Sequence, residues 1–392
     1  MDVMEMIQQA HAALAAARVG EAQRIAEAVA AHRVVGVLGE AEVGKTSTIG
    51  QALRLTNDGP PLIYLDLDGA ASDGHVGFLL AKQIAHTLLG GTDFSLLSGG
   101  VLLPSRIQHG RLQLAELLGV EGLEEALREW PSGRYESTKA LRALQTLAEQ
   151  RDFILWIDHL EAPRLTPRHP LKIDRLLWGV RELSQRESRM RVLISGREAL
   201  RDEILGPRAA FHQQGQWLSL HAPAAGTWRE VADYLGVPPE VADELADLTG
   251  GHPTTMLLAL LHLIDAEGRQ LPHAENVLYD LALRDDGLTA RAIQHARSLH
   301  RLGGQVLTQI ALGQRPYAAT QRGSATSQEI SKVLNRLRLA GLLRRSDGWE
   351  IVNQLVAIRL RGTVHEPLRI ADWKDIDDQL PQGDPPGSRR GR

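Results

Sequence analysis

Gly39, Gly44, Lys45 and Thr46 stand in the spacing G-x4-G-K-T, where each residue type has a chemical job. Glycines let the backbone wrap close to a polyphosphate, so that the loop's N–H groups turn inward onto phosphate oxygens. The candidate contacts are Gly39, Glu40, Ala41, Glu42, Val43, Gly44, Lys45, Thr46 and Ser47. A helix opening at the end of the loop would aim its positive dipole end at the same anion. Lys45 would reach the β- and γ-phosphates, and the Thr46 hydroxyl would ligate Mg²⁺. The apolar run Val34 to Leu38 precedes the loop and a helical pattern, Thr46 to Leu53, follows it, which is the context this chemistry needs.

A second run, DFILWIDHLE (152–161), has the form of the partner strand. Its apolar residues would bury it in a sheet, and Asp158 at its tip would hold the Mg²⁺ through water. Two residues compete to activate the attacking water: Glu161, if the strand end curls towards the site, and His159, as a neutral imidazole. Arg197, just after the strand VLIS, is placed to meet the γ-phosphate, where a guanidinium fork would separate triphosphate from diphosphate. Arg208, in ILGPRAAF, is a candidate finger for a neighbouring subunit.

These residues need a scaffold that brings strand ends together. Strands are expected at 34–38, 61–69, 152–161, 191–198 and 216–223, with helices between them. The pattern predicts an α/β fold with a mostly parallel sheet flanked by helices, in which ligands sit at the carboxyl ends of the strands. Residues 2–31 read as helices broken at Gly20, and 75–150 as helical with loops near Gly90–Pro104 and Pro131–Gly133. After Pro223 only helices are expected, at 228–235, 239–248 and 253–265, the last opening at the turn TGGHP.

Composition limits the other functions. At 392 residues, 43% apolar and 23% charged, the chain has room for two or three soluble domains. Without cysteine it has no disulfide, thiol nucleophile or thiolate zinc site, and its 15 histidines lack metal-site spacing. The longest strongly apolar stretch, Met256 to Ile264, is far short of a membrane span, and the first residues carry acids where a signal peptide carries bases. A cytoplasmic protein with no membrane partner is expected.

Charge is uneven. Residues 287–364 hold eleven Arg and one Lys against three acids, a net of +9, so the remainder of this chain of net charge −4 sums to −13. Within that segment, TSQEISKVLNRLRLAGLLRRSDGWEIV (326–352) reads as a helix and a hairpin. Thr326 with Glu329 makes a capping box, Gly341 stops the helix, and Asp347-Gly348 is a tight-turn dipeptide. Gln328, Lys332, Asn335 and Arg336 share the face opposite the apolar one, and Arg344 and Arg345 lie in the hairpin's first strand. With the helices expected at 290–301 and 303–312, the segment resembles a winged helix suited to phosphates and base edges of double-stranded DNA.

The order GEAEVGKT, WIDHLE, ISGRE and GGHP resembles the STAND and archaeal-type ATPase branch of the AAA+-like P-loop proteins, over roughly residues 20–285. The resemblance implies a P-loop NTPase domain (1–223), a helical lid (224–286) and a winged-helix domain (287–364), with 365–392 as a disordered tail. It implies ATP rather than GTP, and a GxP turn through which His252 and Pro253 touch the nucleotide and couple its state to lid position. Two departures, Glu42 where the family has glycine and His159 where it has a second acid, bear on hydrolysis more than on binding. The readings that follow are an ATPase, slow or partner-stimulated, whose nucleotide state controls DNA association and assembly; a STAND-type signalling or defence switch with the winged helix as an internal arm; or a nucleotide held structurally without turnover. The partners implied are DNA, further copies of the chain, or a separate effector protein.

Overall fold

The computed structural model describes residues 3–56, 59–68, 70, 73–88, 137–165, 173–265, 274–284, 286–317, 326–345 and 348–365. The expected loops within 89–136, Asp347 of the tight turn and the tail beyond His365 lie outside the described residues.

The five apolar runs are five strands: β1 (Val34–Gly39), β2 (Leu62–Asp66), β3 (Phe153–Asp158), β4 (Met190–Arg197) and β5 (Gln216–Leu220). All pair in parallel, in the order β2-β3-β4-β1-β5. Interior strands covered on both faces must be apolar at every position rather than alternating, and β1 and β3 are buried along their whole length. The edge strand β2 alternates instead.

Successive residues of β3 feed opposite cores. Leu155 and Ile157 join Leu65, Leu80, Leu144 and Val180 on one face, while Ile154 and Trp156 join Val37, Ile49 and Ile25 on the other. The first face is covered by α4 (Asp73–Leu88), α5 (Ser137–Gln150) and α7 (Asp174–Arg186), beyond the short α6 (Ala162–Leu165). The second is covered by α2 (Val19–Ala31) and α3 (Lys45–Leu55), preceded in the chain by α1 (Val3–Ala17). Register then lines up the strand tips: Gly39 lies opposite both Arg197 and Leu220, and Asp66 opposite Asp158.

After α8 (Arg201–Leu205) and β5 come helices only: α9 (Ala225–Tyr234), α10 (Pro239–Thr249), α11 (Pro253–Asp265) and α12 (Ala274–Arg284). They close a separate core around Trp228, Leu245, Met256 and Leu260. A third core joins α13 (Asp286–Leu299), α14 (Gly303–Ala311), α15 (Ser327–Leu339), the antiparallel strands β6 (Leu343–Arg345) and β7 (Trp349–Ile351), and α16 (Gln354–His365).

Two sequence expectations need correction. The N-terminal helices break at Arg18, not at Gly20, which lies inside α2. Nor does all of the segment before Pro223 belong with the sheet: α1 buries Ala10 in the α9–α12 core. Among the described residues, no helix is long and apolar enough to cross a membrane.

Candidate functional site

The loop between β1 and α3 is built for close backbone approach. A methyl on Gly39 would overlap the Leu220 carbonyl, and Gly44 sits at φ +86°, where glycine is favoured. Glu42 also has a positive φ, +57°, so a carboxylate side chain occupies a position that glycine would take without strain. Val43 is buried, while Glu42 and Ser47, in the first turn of α3, are exposed.

Lys45 is buried, and its Nζ donates to the carbonyls of Gly39 (3.2 Å) and Glu40 (2.6 Å). Burial pushes the ammonium down to about 8, against the pull of Glu161, Asp158 and Glu40 and with the repulsion of Arg197. A buried cation whose hydrogen bonds run to loop carbonyls is a site that an anion would complete, and the residues fit a phosphate there.

Asp158, at the tip of β3, is 1% exposed and saturated. Oδ2 accepts from the Thr46 hydroxyl (2.8 Å) and the Tyr64 hydroxyl (3.2 Å); Oδ1 accepts from Ser195 Oγ (2.5 Å) and the His159 N–H (2.8 Å). Trp156 Nε1 in turn donates to Ser195 Oγ at 2.7 Å. Burial, then the charge of Asp158, pushes the Tyr64 phenol up, so it remains a donor. The Thr46–Asp158 pair supplies hard oxygen donors side by side at the loop, the chemistry Mg²⁺ requires.

Both candidates for activating water are committed elsewhere. His159, at φ +55°, places Nδ1 2.8 Å from Asp66 Oδ1. That hydrogen bond, working against burial and helped by the charges of Asp158, Asp66 and Glu161, raises the imidazole to about 9. With these carboxylates beside it the ring is held as an imidazolium, rather than the neutral imidazole expected, and so has no lone pair for a proton. Glu161 is 4% exposed, and its carboxylate accepts from the Arg197 backbone N–H (3.2 Å) and Nε (3.0 Å). Arg197 thus faces Glu161, and its Nη1 is buried without a hydrogen-bond partner.

The helical unit reaches the loop through its GGHP turn. Gly250 and Gly251 have φ of +66° and +69°, and a Cβ on Gly251 would stand 2.6 Å from the Pro223 carbonyl. Trp228 Nε1 donates to the Gly251 carbonyl at 3.1 Å. The turn holds His252 with Nε2 3.2 Å from the Ala41 carbonyl, and Pro253 opens α11. Burial lowers the His252 pKa, so the neutral ring donates from Nε2 while Nδ1 lacks a partner.

The third unit reaches the same loop. Gly341, at φ +67°, packs so closely that a methyl there would overlap both Arg197 Nη1 and Ala41 Cβ. Ala41, Glu42, Arg197 and His252 then share a cavity of about 670 Å³ with Arg291, His295 and Gly341. Of the residues expected on an open basic face, Gln328, Lys332, Asn335 and Arg345 are exposed. Arg336 and Arg344 are corrected. Arg336 Nη1 donates to the Leu299 carbonyl (2.6 Å). Arg344 donates from Nε to Glu350 (2.8 Å) and turns its Nη1 towards Gly250. The capping box forms as expected: Thr326 Oγ1 accepts from the Glu329 N–H, and the Glu329 carboxylate accepts from the Thr326 backbone N–H while also pairing with Arg301. Arg208 is exposed on a separate groove with Trp178 and Asp202.

Sequence reasoning missed Tyr64, Asp66 and Ser195. The one available signal was Ser195, a polar residue within an apolar strand whose neighbour pairs with Ile157.

No family model matches the chain, and no curated protein matches it in sequence. Among solved structures, a Walker-type ATPase of Pyrococcus abyssi is similar at TM-score 0.60 and 17% identity, over 88% of this chain and 95% of that one. The Aeropyrum pernix ORC1 protein in complex with DNA matches more loosely, at TM-score 0.45 and 14% identity over 91% of this chain and 94% of that one. A STAND protein with a tetratricopeptide repeat sensor from Pyrococcus horikoshii does so at TM-score 0.38 and 15% identity, over 88% of this chain and 42% of that one. At such identity the likeness to the Walker-type ATPase is one of fold: the chain has the fold of a P-loop ATPase.

Proposed function

We propose, with the P-loop ATPase fold as premise, that the chain binds ATP with Mg²⁺ and acts as a slow ATPase switch whose nucleotide state is relayed to the lid and the C-terminal unit. The observation that carries this reading is the convergence on Ala41. One residue of the phosphate loop meets His252 of the lid turn through its carbonyl and Gly341 of the C-terminal unit through its methyl. A ligand that reshapes the loop therefore acts on both.

In this reading the N–H groups of residues 40–46 and Pro253 of the lid surround the nucleotide, and Lys45 moves from the loop carbonyls onto the phosphates. Thr46 and Asp158 hold the Mg²⁺, which when bound would draw charge from the phosphate oxygens. Arg197, released from Glu161, meets the terminal phosphate, and Glu161 is then free to orient water. The pairing of Arg197 with Glu161 supports slow turnover, because the site must rearrange before both groups serve. The test is ATP and ADP binding and ATP turnover in the wild type and in Lys45→Ala. Binding lost in the variant supports the reading; a wild type that binds neither nucleotide ends it.

A second reading concerns the C-terminal unit, taken as a winged helix. Its exposed Gln328, Lys332, Asn335 and Arg345, in a segment of net +9, favour double-stranded DNA as a partner. The inward Arg336 and Arg344 and the docking of Gly341 favour an internal arm, with a separate effector protein or further copies of the chain as partners. We take the internal arm as primary.

A further inference from the structure

Arg18 is 4% exposed and forms the one-residue break between α1 and α2. Its guanidinium has partners in three segments: the Glu21 carboxylate in α2, the Val43 carbonyl in the phosphate loop, and the His221 carbonyl (3.2 Å) in the link from β5 to the lid. Nothing in the chemistry above uses it, yet its Nη1 also lies 3.3 Å from where a Cβ on Gly44 would stand.

The Val43 carbonyl and the Gly44 N–H belong to one planar trans peptide, so they point in opposite directions. A guanidinium that holds the carbonyl on the outside of the loop turns that N–H to the inside, where a phosphate would sit. Glycine at φ +86° leaves this plane otherwise poorly fixed, so an outside anchor is what sets it.

The anchor is also connected to the lid. On one side of Arg18, α1 buries Ala10 among the lid residues Trp228 and Met256. On the other, α2 packs Ala22, Ile25 and Val29 against Val43 and Ile49. Gln51 of α3 donates to the Ala15 carbonyl (3.0 Å), closing the joint from the third direction.

We propose that Arg18 is a positioning residue: it presets the Gly44 N–H for phosphate by holding the same peptide's carbonyl, and it links that setting to the lid through α1. The proposal rests on reading the loop as a nucleotide site. Because the N–H serves a phosphate common to ADP and ATP, both nucleotides depend on Arg18 alike.

The experiment is calorimetric titration of the full chain with Mg-ADP and Mg-ATP, in wild type, Arg18→Gln, Arg18→Lys, Glu21→Gln and Lys45→Ala, with circular dichroism to fix the folded fraction. Arg18→Gln is expected to weaken both nucleotides about tenfold, the size of one charge-assisted hydrogen bond. Arg18→Lys, reaching one carbonyl rather than two, recovers about half of that loss on a logarithmic scale. Glu21→Gln breaks the ion pair but leaves the Val43 contact, and stays within about twofold of wild type. Wild-type affinity in folded Arg18→Gln overturns the proposal, as does an equal loss in Glu21→Gln, which makes Arg18 a helix staple. If Arg18→Gln does not fold, unchanged affinity in Arg18→Lys overturns it instead. A wild type that binds no nucleotide, like Lys45→Ala, overturns the nucleotide reading itself.

Discussion

Asp158 carries the densest set of demands on any one side chain at this site. Four donors converge on its carboxylate, two on each oxygen. Asparagine there keeps one oxygen but sets an NH₂ against hydrogen-bond donors, and it removes the charge that would hold Mg²⁺. Asp158→Asn is expected to lower Mg²⁺-dependent ATP turnover by about 100-fold or more. Nucleotide affinity measured in a chelator should change little; turnover that keeps its Mg²⁺ dependence in the variant sinks the assignment.

His252 gives the contact between the α9–α12 unit and the loop a pH dependence. Burial holds its pKa below the ordinary histidine value; Glu42, Glu40 and the Ala41 hydrogen bond oppose this, while Arg344 adds to it. A docked histidine that resists protonation loses ground to an undocked one that accepts it, so the contact is stable above about pH 6.5 and weakens as pH falls below it. Fluorescence transfer between the sheet domain and the lid should report opening on acidification from neutral pH. In His252→Gln, which keeps a donor for Ala41 but does not titrate, that dependence should vanish. A profile unchanged by the substitution would assign it to another group.

At the scale of elements, the turn between α15 and β6 decides how the C-terminal unit meets the phosphate loop. Gly341→Ala adds a methyl where Arg197 Nη1 and Ala41 Cβ already lie, and does so at φ +67°. The strain of a left-handed alanine alone is about 1 kcal/mol, and the overlap adds to it. The expected outcome is a unit that folds but undocks, seen as faster proteolysis between Leu299 and Ser327 and an accessible Arg197. Wild-type cleavage in a folded variant would show that the turn tolerates the methyl and does not gate the contact.

What could be read in the sequence follows from the range of the interactions. The phosphate loop is local: its glycines, lysine and threonine are contiguous, and the runs that became β1 and β3 are apolar because both faces are covered. The partners of Asp158 are not local. Tyr64 and Ser195 come from the strands on either side of β3, and only the parallel register brings them to one carboxylate. Arg18 is further still, tied to a carbonyl 25 residues away and another 203 residues away. Helix periodicity placed Arg336 on a polar face but could not show that the end of α13 covers it.

On the scale of the whole molecule, only part of the +9 charge in residues 287–364 faces outward. Counting it all as a nucleic-acid footprint overstates the surface, because Arg336, Arg338 and Arg344 bond to Leu299, Ala199 and Glu350 of the chain itself. Of the cations expected on the open face of α15 and the hairpin, Lys332 and Arg345 remain exposed, with Arg345 over the ring of Trp349 at 6.0 Å. Each phosphate neutralised on a duplex contributes a slope of about −0.9 in log affinity against log salt. A footprint resting on these two cations gives a slope of about −2, too shallow for tight binding at physiological salt. Fluorescence anisotropy with a labelled duplex should therefore find weak, salt-sensitive binding, lost in Lys332→Glu with Arg345→Glu and kept in Arg344→Ala. Undocking by Gly341→Ala frees the face that carries Arg338 and Arg344, and the slope should steepen. A slope already steep in the wild type and unchanged in Gly341→Ala would mean that the docked unit is the DNA-binding form and that the internal-arm reading fails.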